Sequence, residues 1–573
     1  MAEKTAHRLP GPLHRTHEFG SSTESERPGK WIPGPVPPKK GPHALVRGIR
    51  DLNQPISVID LGGEMGVGVG GTAILGEGAS RQQDSESYPL IGYVPPLLPE
   101  DLGDPLFKSS HSVRYAYVAG AMANGITSVE MVNAVGNAGM IGFFGSAGLS
   151  IPEIEAAIHR LRKQMPDGPF GMNLIHSPFE PDLEQATVDL YLARDVRLVS
   201  ASAYLDMTLP LIQYRVAGIH RGTDGSIQCP NRVVAKISRH EVARKFFSPP
   251  PARILRELVE AGKITPEQAT LAEAVPVAET LTAEADSGGH TDNRPAITLL
   301  PTMIALRDEL TDRYHYRKPL TVGLGGGIAT PESTAAAFAM GAAYVLTGTV
   351  NQACVEAGTS ERVRHMLAEA QQAEVAMAPA ADMFEMGVKV QVLKRGTMFP
   401  QRAAKLYDFY RSYDRLEDIP SKERTVLERD YFRSSLEDAW EQTRKFFETH
   451  DPRQITRAQE DPRHKMALVF RSYLGQSSNW ANTGDPSRQI DYQIWCGPAI
   501  GAFNQWVKGS FLERPEHRKV VAVAMNLLVG ACIVTRANWL RQQGVPITAD
   551  AGRFSPMPLD DITQMGTYLT LAN

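Results

Sequence analysis

The chain has 573 residues, 42% of them hydrophobic and 22% charged, with a formal net charge of −4. That length permits two or three domains of ordinary globular composition. The near-neutral balance excludes the global basic field needed to hold nucleic acid or an anionic lipid surface. From the N-terminus, residues 1–40 lack the apolar core of a signal peptide, and Pro and Gly recur over 1–45 too often for regular structure, so an extended arm is expected. Residues 46–105 follow as a small region and linker. ISVIDLGG from Ile56 reads as a strand, and the run at Pro89–Pro105 reads as a linker. Gly66–Gly71 can be fitted to G-x-G-x-x-G, but no helical apolar period follows it, so a β-loop with tight turns is the expectation.

Over 106–394 short apolar runs alternate with amphipathic stretches, the pattern of βα units and a parallel sheet. Eight candidate strands can be placed, at Tyr115–Met122, Gly139–Phe144, Phe170–Ile175, Arg197–Ser202, Arg232–Ser238, Thr280–Ala285, Leu320–Leu324 and Ala343–Thr347. Helices are expected between most of them, two opening on Ser150 with Pro152 and on Thr330 with Pro331, which are sensible N-caps. The fold class is therefore α/β, a (β/α)₈ barrel. A helical insertion, Arg239–Pro276, follows strand five and is expected to lie over the barrel mouth. Residues 395–573 form a C-terminal helical region. In it, Tyr492, Trp495, Phe503, Trp506 and Phe511 read as core or as packing between protomers, which leaves a homodimer open. Val520–Thr535 is too short to span a bilayer comfortably and reads as a buried helix. The four cysteines, Cys229, Cys354, Cys496 and Cys532, lie far apart with no C-x-x-C pair, so reduced thiols of a soluble cytoplasmic protein are expected and no metal site.

Three constellations fall near the C-terminal ends of strands, where this barrel carries its chemistry. In residues 323–349, one strand ends in Gly325-Gly326-Gly327 and the next in Thr347-Gly348-Thr349. Glycines admit backbone N–H groups close to a phosphate, and the loops after strands seven and eight are the usual phosphate site; a tight turn alone is the competing account. After strand six stands Ser287-Gly288-Gly289-His290. Here the glycines permit close approach to a flat ring, and the imidazole can exchange a proton near neutral pH. The third set is Gly120-Ala121-Met122 closing strand one, Asn173 and His176 around the end of strand three, and Lys236 in strand five. An Asn and a Lys can hydrogen-bond a flavin pyrimidine and stabilise negative charge there; a turn residue and a solvated strand end are the alternatives.

The segments GAMANGITSVEMVNAVGNAGMIGFFG, FGMNLIHSP, EADSGGH, GLGGGIATPES and LTGTVNQA, in this order, resemble the nitronate monooxygenase superfamily, which includes flavin-dependent enoyl-acyl-carrier-protein reductases. The opening FKSSHSVRYAYVAGAMANGI, the SRHEVARKFFSPPP insertion and the C-terminal region are similar to the PfaD-type trans-acting enoyl reductases of polyunsaturated fatty acid and polyketide synthases. The resemblance implies bound FMN, NADPH or NADH as hydride source, and an enoyl chain delivered as a thioester on an acyl carrier protein of such a synthase. It assigns the phosphate to Gly326, Gly327, Gly348 and Thr349, the Gly-Gly-His to Gly288, Gly289 and His290 as catalytic residue, and the pyrimidine side to Asn173. Thr291-Asp292-Asn293 follows the His where nitronate monooxygenases commonly carry Arg-Gly, which disfavours oxygenase chemistry. An oxygen-dependent nitronate monooxygenase and a non-catalytic scaffold are the rival readings.

Overall fold

A computed structural model describes residues 29–76, 87–166, 168–176 and 181–564. The chain forms two compact units, one of Met1–Leu97 with Thr535–Arg553, the other of Leu98–Val534 with Phe554–Asn573.

In the larger unit all eight expected strands form and close into a parallel barrel. They are β1 Tyr117–Ala119, β2 Ile141–Phe144, β3 Phe170–Ile175, β4 Leu198–Ser202, β5 Arg232–Ile237, β6 Thr280–Glu284, β7 Thr321–Gly325 and β8 Val345–Thr347. Each pairs with its neighbour in sequence, and β8 returns to β1 with Thr347 beside Ala119. LVSAS in β4 and TVGLG in β7 are buried at every position, as strands covered on both faces must be. Polar side chains of the strands find buried partners next to β8: Thr282 Oγ1 lies 2.6 Å from the Tyr344 hydroxyl, and the Tyr117 hydroxyl donates to Asn351 Oδ1, on the short helix Thr349–Gln352, at 2.9 Å. The helix Ile151–Gln164 starts as its sequence suggests, with Glu153 Oε2 accepting from the Ser150 backbone N–H at 2.8 Å.

The insertion is helical, with segments His240–Phe247, Ala252–Glu260 and Pro266–Ala272, but it does not roof the barrel. His240–Phe247 packs against β5 and the helix Ala296–Tyr314, and the other two pack against Leu209–Val216. Their apolar faces, with Ile254, Leu255 and Leu258 buried, extend the outer helical ring instead of facing the catalytic end. Past the barrel, the strands Val375–Pro379 and Lys389–Leu393 form a hairpin that takes in Gly289–His290 as a third antiparallel strand. The helices Phe399–Ser412, Leu436–His450 and Pro462–Thr483 follow and share one core with the hairpin, including Phe384, Leu406, Trp440 and Phe470. Buried Asp491 is compensated inside this region, accepting from Tyr473 at 2.6 Å, from Arg488 at 3.2 Å and from Arg402.

The smaller unit carries a six-stranded antiparallel sheet in the order Lys39–Lys40, Met65–Gly68, Ile56–Asp60, Tyr88–Val94, Gly29–Ile32, Thr72–Leu75. Two expectations need correcting here. Of the supposed arm, residues 1–28 lie outside the described residues, while Gly29–Ile32 is an inner strand and Pro42–Arg50 a helix. The supposed linker contains the strand Tyr88–Val94, which pairs with both Gly29–Ile32 and Ile56–Asp60. Trp31 explains the glycine run: its Nε1 donates to Gly70 O at 2.9 Å, and side chains at Gly68 or Gly71 would collide with its ring. Arg536 ties the unit together, donating to the carbonyls of Gly48, Leu52, Gln54 and Pro95. It lies on the helix Val520–Gln542, which is 23 residues and apolar enough to cross a membrane, yet 89% of its most apolar window is buried within the protein.

Candidate active site

A cavity of about 800 Å³ opens at the C-terminal end of the barrel, at the upper end of the range for a single small-molecule site. Every residue expected from the sequence lines it: Gly120, Ala121, Met122, Asn173, Lys236, Gly288, Gly289, His290, Gly325, Gly326, Gly327, Gly348 and Thr349. His176 is the exception. Its Nδ1 is held 2.9 Å from Glu184 Oε2 and its ring stacks on Tyr204; Glu184, not His176, reaches the cavity wall.

The two glycine ends differ in what they need. Gly326 and Gly327 have φ of +89° and +77°, conformations that L side chains rarely adopt. A Cβ on Gly326 would meet the Ala285 carbonyl group at 2.7 Å, so Gly326 is also a packing glycine. A Cβ on Gly327 or Gly348 would meet nothing within 4 Å, so both face open space in the cavity wall. This is a cradle that an anion approaching backbone N–H groups fits. The helix Pro331–Ala339 behind it caps itself, with Ser333 Oγ accepting from the Ala329 and Thr330 N–H groups at 3.0 Å. The N–H groups of Ala329 and Thr330 are thereby engaged by the helix's own side chain. The Thr349 hydroxyl accepts from Gly497 N–H at 3.1 Å, which ties the C-terminal region to the second loop.

Gly288 lines the cavity and is also a packing glycine. The space its Cβ would take is filled by the Cys496 backbone, whose N lies at 2.7 Å, so the glycine lets two chains cross. Gly289, at φ +80°, turns the chain so that His290 joins the hairpin sheet. His290 Nε2 lies 3.1 Å from Asp382 Oδ1, and both line the cavity. Burial pulls the imidazole pKa down, but the Asp382 hydrogen bond and charge outweigh it, and the net shift is upward. Asp382 moves the other way: burial raises it, and the bond and charge of His290 bring it below the usual carboxylate value.

Lys236 is not a solvated strand end. Its ammonium is paired with Glu284 at the end of the adjacent strand β6, so the positive charge it presents is largely compensated. Asn173 donates through Nδ2 to Ser200 O and Ser202 Oγ, both at 3.0 Å, which leaves that amide nitrogen engaged in the barrel wall. The Thr291-Asp292-Asn293 segment is a latch: Asp292 accepts two bonds from Arg239, at 2.9 and 3.0 Å, and one from Ser238 at 2.5 Å. These hydrogen bonds, the Arg239 one foremost, outweigh the cost of burial and hold the Asp292 carboxyl down at about 2.

The sequence reading missed Asp382, Glu284 and the roof. None of residues 248–276 of the insertion lines the cavity. Its outer wall comes from the helices Leu436–His450 and Pro462–Thr483, with Gln442, Phe446, Ser472 and Asn479 among the contributors, and from Trp495, which had read as core or as packing between protomers. Asp382 could not be seen because 92 residues separate it from His290, and only the hairpin joins them. Glu284 was visible inside EADSGGH but had no evident partner. Among the described residues no group of His, Cys, Asp and Glu side chains could hold a metal ion.

A parallel eight-stranded barrel with a glycine-lined cavity at its C-terminal mouth has the architecture on which this fold carries its chemistry. Residues 105–409, just over half of the chain, match the family model described as nitronate monooxygenase, and the chain belongs to that family. Residues 413–492 match a second family model, the inserted helical domain of acyl-carrier-protein S-malonyltransferase, and they supply the roof helices. The chain is 46% identical over 455 residues to a polyunsaturated fatty acid synthase polypeptide of Thraustochytrium sp., covering 78% of this chain and 30% of that protein. It is 45% identical over 436 residues to the polyketide biosynthesis protein PksE of Bacillus subtilis, covering 76% and 56%. These and the other curated relatives it matches are longer proteins, of which it spans between 23% and 56%. Among solved structures it is similar to the enoyl reductase domain of MlnA from the macrolactin cluster of Bacillus amyloliquefaciens, at 39% identity and a TM-score of 0.72, covering 78% of this chain and 99% of that one.

Proposed function

We propose that the chain is an FMN-dependent enoyl reductase that uses NADPH or NADH to reduce the 2,3 double bond of enoyl thioesters carried by an acyl carrier protein of a polyunsaturated fatty acid or polyketide synthase. The observation that carries this reading is the single cavity in which an open glycine cradle and a carboxylate-held histidine meet under a helical roof. The similarity to the MlnA enoyl reductase domain and to synthase proteins supports it.

When bound, FMN supplies hydride transfer, chemistry that no side chain can perform. Gly327, Gly348 and Thr349 hold its phosphate through backbone N–H groups, with Gly326 fixing the turn. Gly120, Ala121 and Met122 at the end of β1 and the walls at Asn173 and Lys236–Glu284 confine its ring. His290 holds a proton for the substrate α-carbon, and Asp382 keeps that imidazole oriented and charged, a positioning role.

The test is anaerobic and spectroscopic. NADPH should bleach the flavin band of the loaded protein, and a crotonyl thioester should restore it much faster than oxygen does. Reduction of the flavin by a nitronate, with recovery on oxygen and none with the thioester, would overturn the reading in favour of a monooxygenase. A purified chain that never binds flavin would overturn it in favour of a scaffold.

A further inference from the structure

The two roof helices turn a stripe of polar residues, flanked by Phe446, Phe447 and Leu468, toward the cavity. On Pro462–Thr483, Ser472, Gln476 and Asn479 stand at i, i+4 and i+7, the spacing of one helix face, and all line the cavity. On Leu436–His450 the lining positions Gln442, Thr443, Phe446 and Phe447 likewise form one stripe. The side-chain amides of Gln442 and Asn479 have no protein hydrogen-bond partner among the described residues, and Gln476 uses only its nitrogen, donating to Ser472 Oγ at 3.1 Å. Gly475 stands inside the helix, where glycine is unfavourable, and a Cβ there would meet nothing within 4 Å. The missing side chain leaves bare helix backbone in the wall between Ser472 and Asn479. Phe446, 51% exposed, marks the outer lip.

This donor and acceptor set is neutral. Arg471 beside it donates its Nε to Ala381 O and keeps its positive charge, so the neutral donors and acceptors are Gln442, Ser472, Gln476 and Asn479. A plain hydrocarbon laid along it would desolvate Gln442 and Asn479 without bonding them, which such a site rejects. A narrow ligand with amide groups along its length would satisfy them. We propose that this roof stripe, Gln442, Ser472, Gln476 and Asn479 with the gap at Gly475, binds the amide-bearing pantetheine arm of the thioester substrate. The inference rests on the enoyl thioester reading and names the part of the substrate that the roof recognises. The thioester then lies toward His290 and the arm runs out past Phe446.

The experiment compares kcat/KM for crotonyl-pantetheine with that for S-ethyl thiocrotonate, which lacks the amides, using the full FMN-loaded chain. Gln442→Leu and Asn479→Leu should each lower the ratio of the two about tenfold, the worth of one hydrogen bond. Gly475→Leu, which favours the helix and fills the gap, should lower it too. In parallel, pantetheine itself should bind the wild-type protein calorimetrically and bind the variants more weakly. An unchanged ratio in all three variants overturns the proposal. If the wild type reduces neither thioester, the enoyl reductase reading fails, and pantetheine binding alone decides the inference: weakened in the variants it stands, absent or unaltered it falls.

Discussion

Asp382→Asn removes a charge while keeping the shape of the side chain, so it isolates what the carboxylate does for His290. The pair is separated by 3.1 Å. A hydrogen bond to a charged group contributes about 1.5–3 kcal/mol. The His290 and Asp382 side chains are 35% and 46% exposed, so solvent screening places this bond at or below the low end, near tenfold in rate. The enoyl half-reaction should therefore slow by about tenfold, while reduction of the flavin by nicotinamide changes little. The pH profile should move as well. The proton-donating form exists below the His290 titration and is lost as pH rises through it. Asp382 is what lifts that titration against burial, with paired Lys236 and Glu284 also facing the ring, so the Asn variant should lose activity at lower pH than the wild type. Stopped-flow measurement of each half-reaction across pH reads both effects. An unmoved alkaline limb, equal slowing of both half-reactions, or a further loss when Asp382→Asn is added to His290→Ala would refute the dyad.

His290→Ala should retain FMN, because Gly327 and Gly348 are untouched, and should slow enoyl reduction by ~10²–10⁴, the usual worth of a positioned general acid; the two half-reactions measured apart check this. Gly327→Asp should purify colourless, since a carboxylate would face the phosphate from a backbone position at φ +77°, and a yellow variant with full flavin occupancy would place the phosphate elsewhere. Asp292→Asn should lower stability by about 1–2 kcal/mol through loss of charge-assisted bonds to Arg239 and Ser238, read by denaturant unfolding near neutral pH. Because the folded Asp292 carboxyl is held down at about 2, its contribution is complete above the ordinary carboxylate range and fades as pH falls toward 2, where the two proteins should converge.

The barrel was legible because local pattern alone encodes it: eight buried strands read as short apolar runs, and Ser150 and Thr330 mark their helix starts in the sequence itself. The glycine loops and His290 were legible for the same reason, since each sits at a strand end where the fold concentrates its chemistry. Tertiary structure alone decided what those residues touch. The insertion Arg239–Pro276 has amphipathic helices whose apolar faces could cover either the mouth or the outer ring, and no local signal distinguishes the two; packing on Leu209–Val216 settled it. Gly288 lines the cavity as its place in the sequence suggests, but a glycine's need for space does not reveal that the Cys496 backbone crosses it there. Asp382, Trp495 and the roof stripe reach the cavity from 92 or more residues beyond His290, brought there by a hairpin and a helical core. Periodicity records which face of an element is buried, but the partner that buries it is a long-range property, and the chemistry of this cavity depends on those partners.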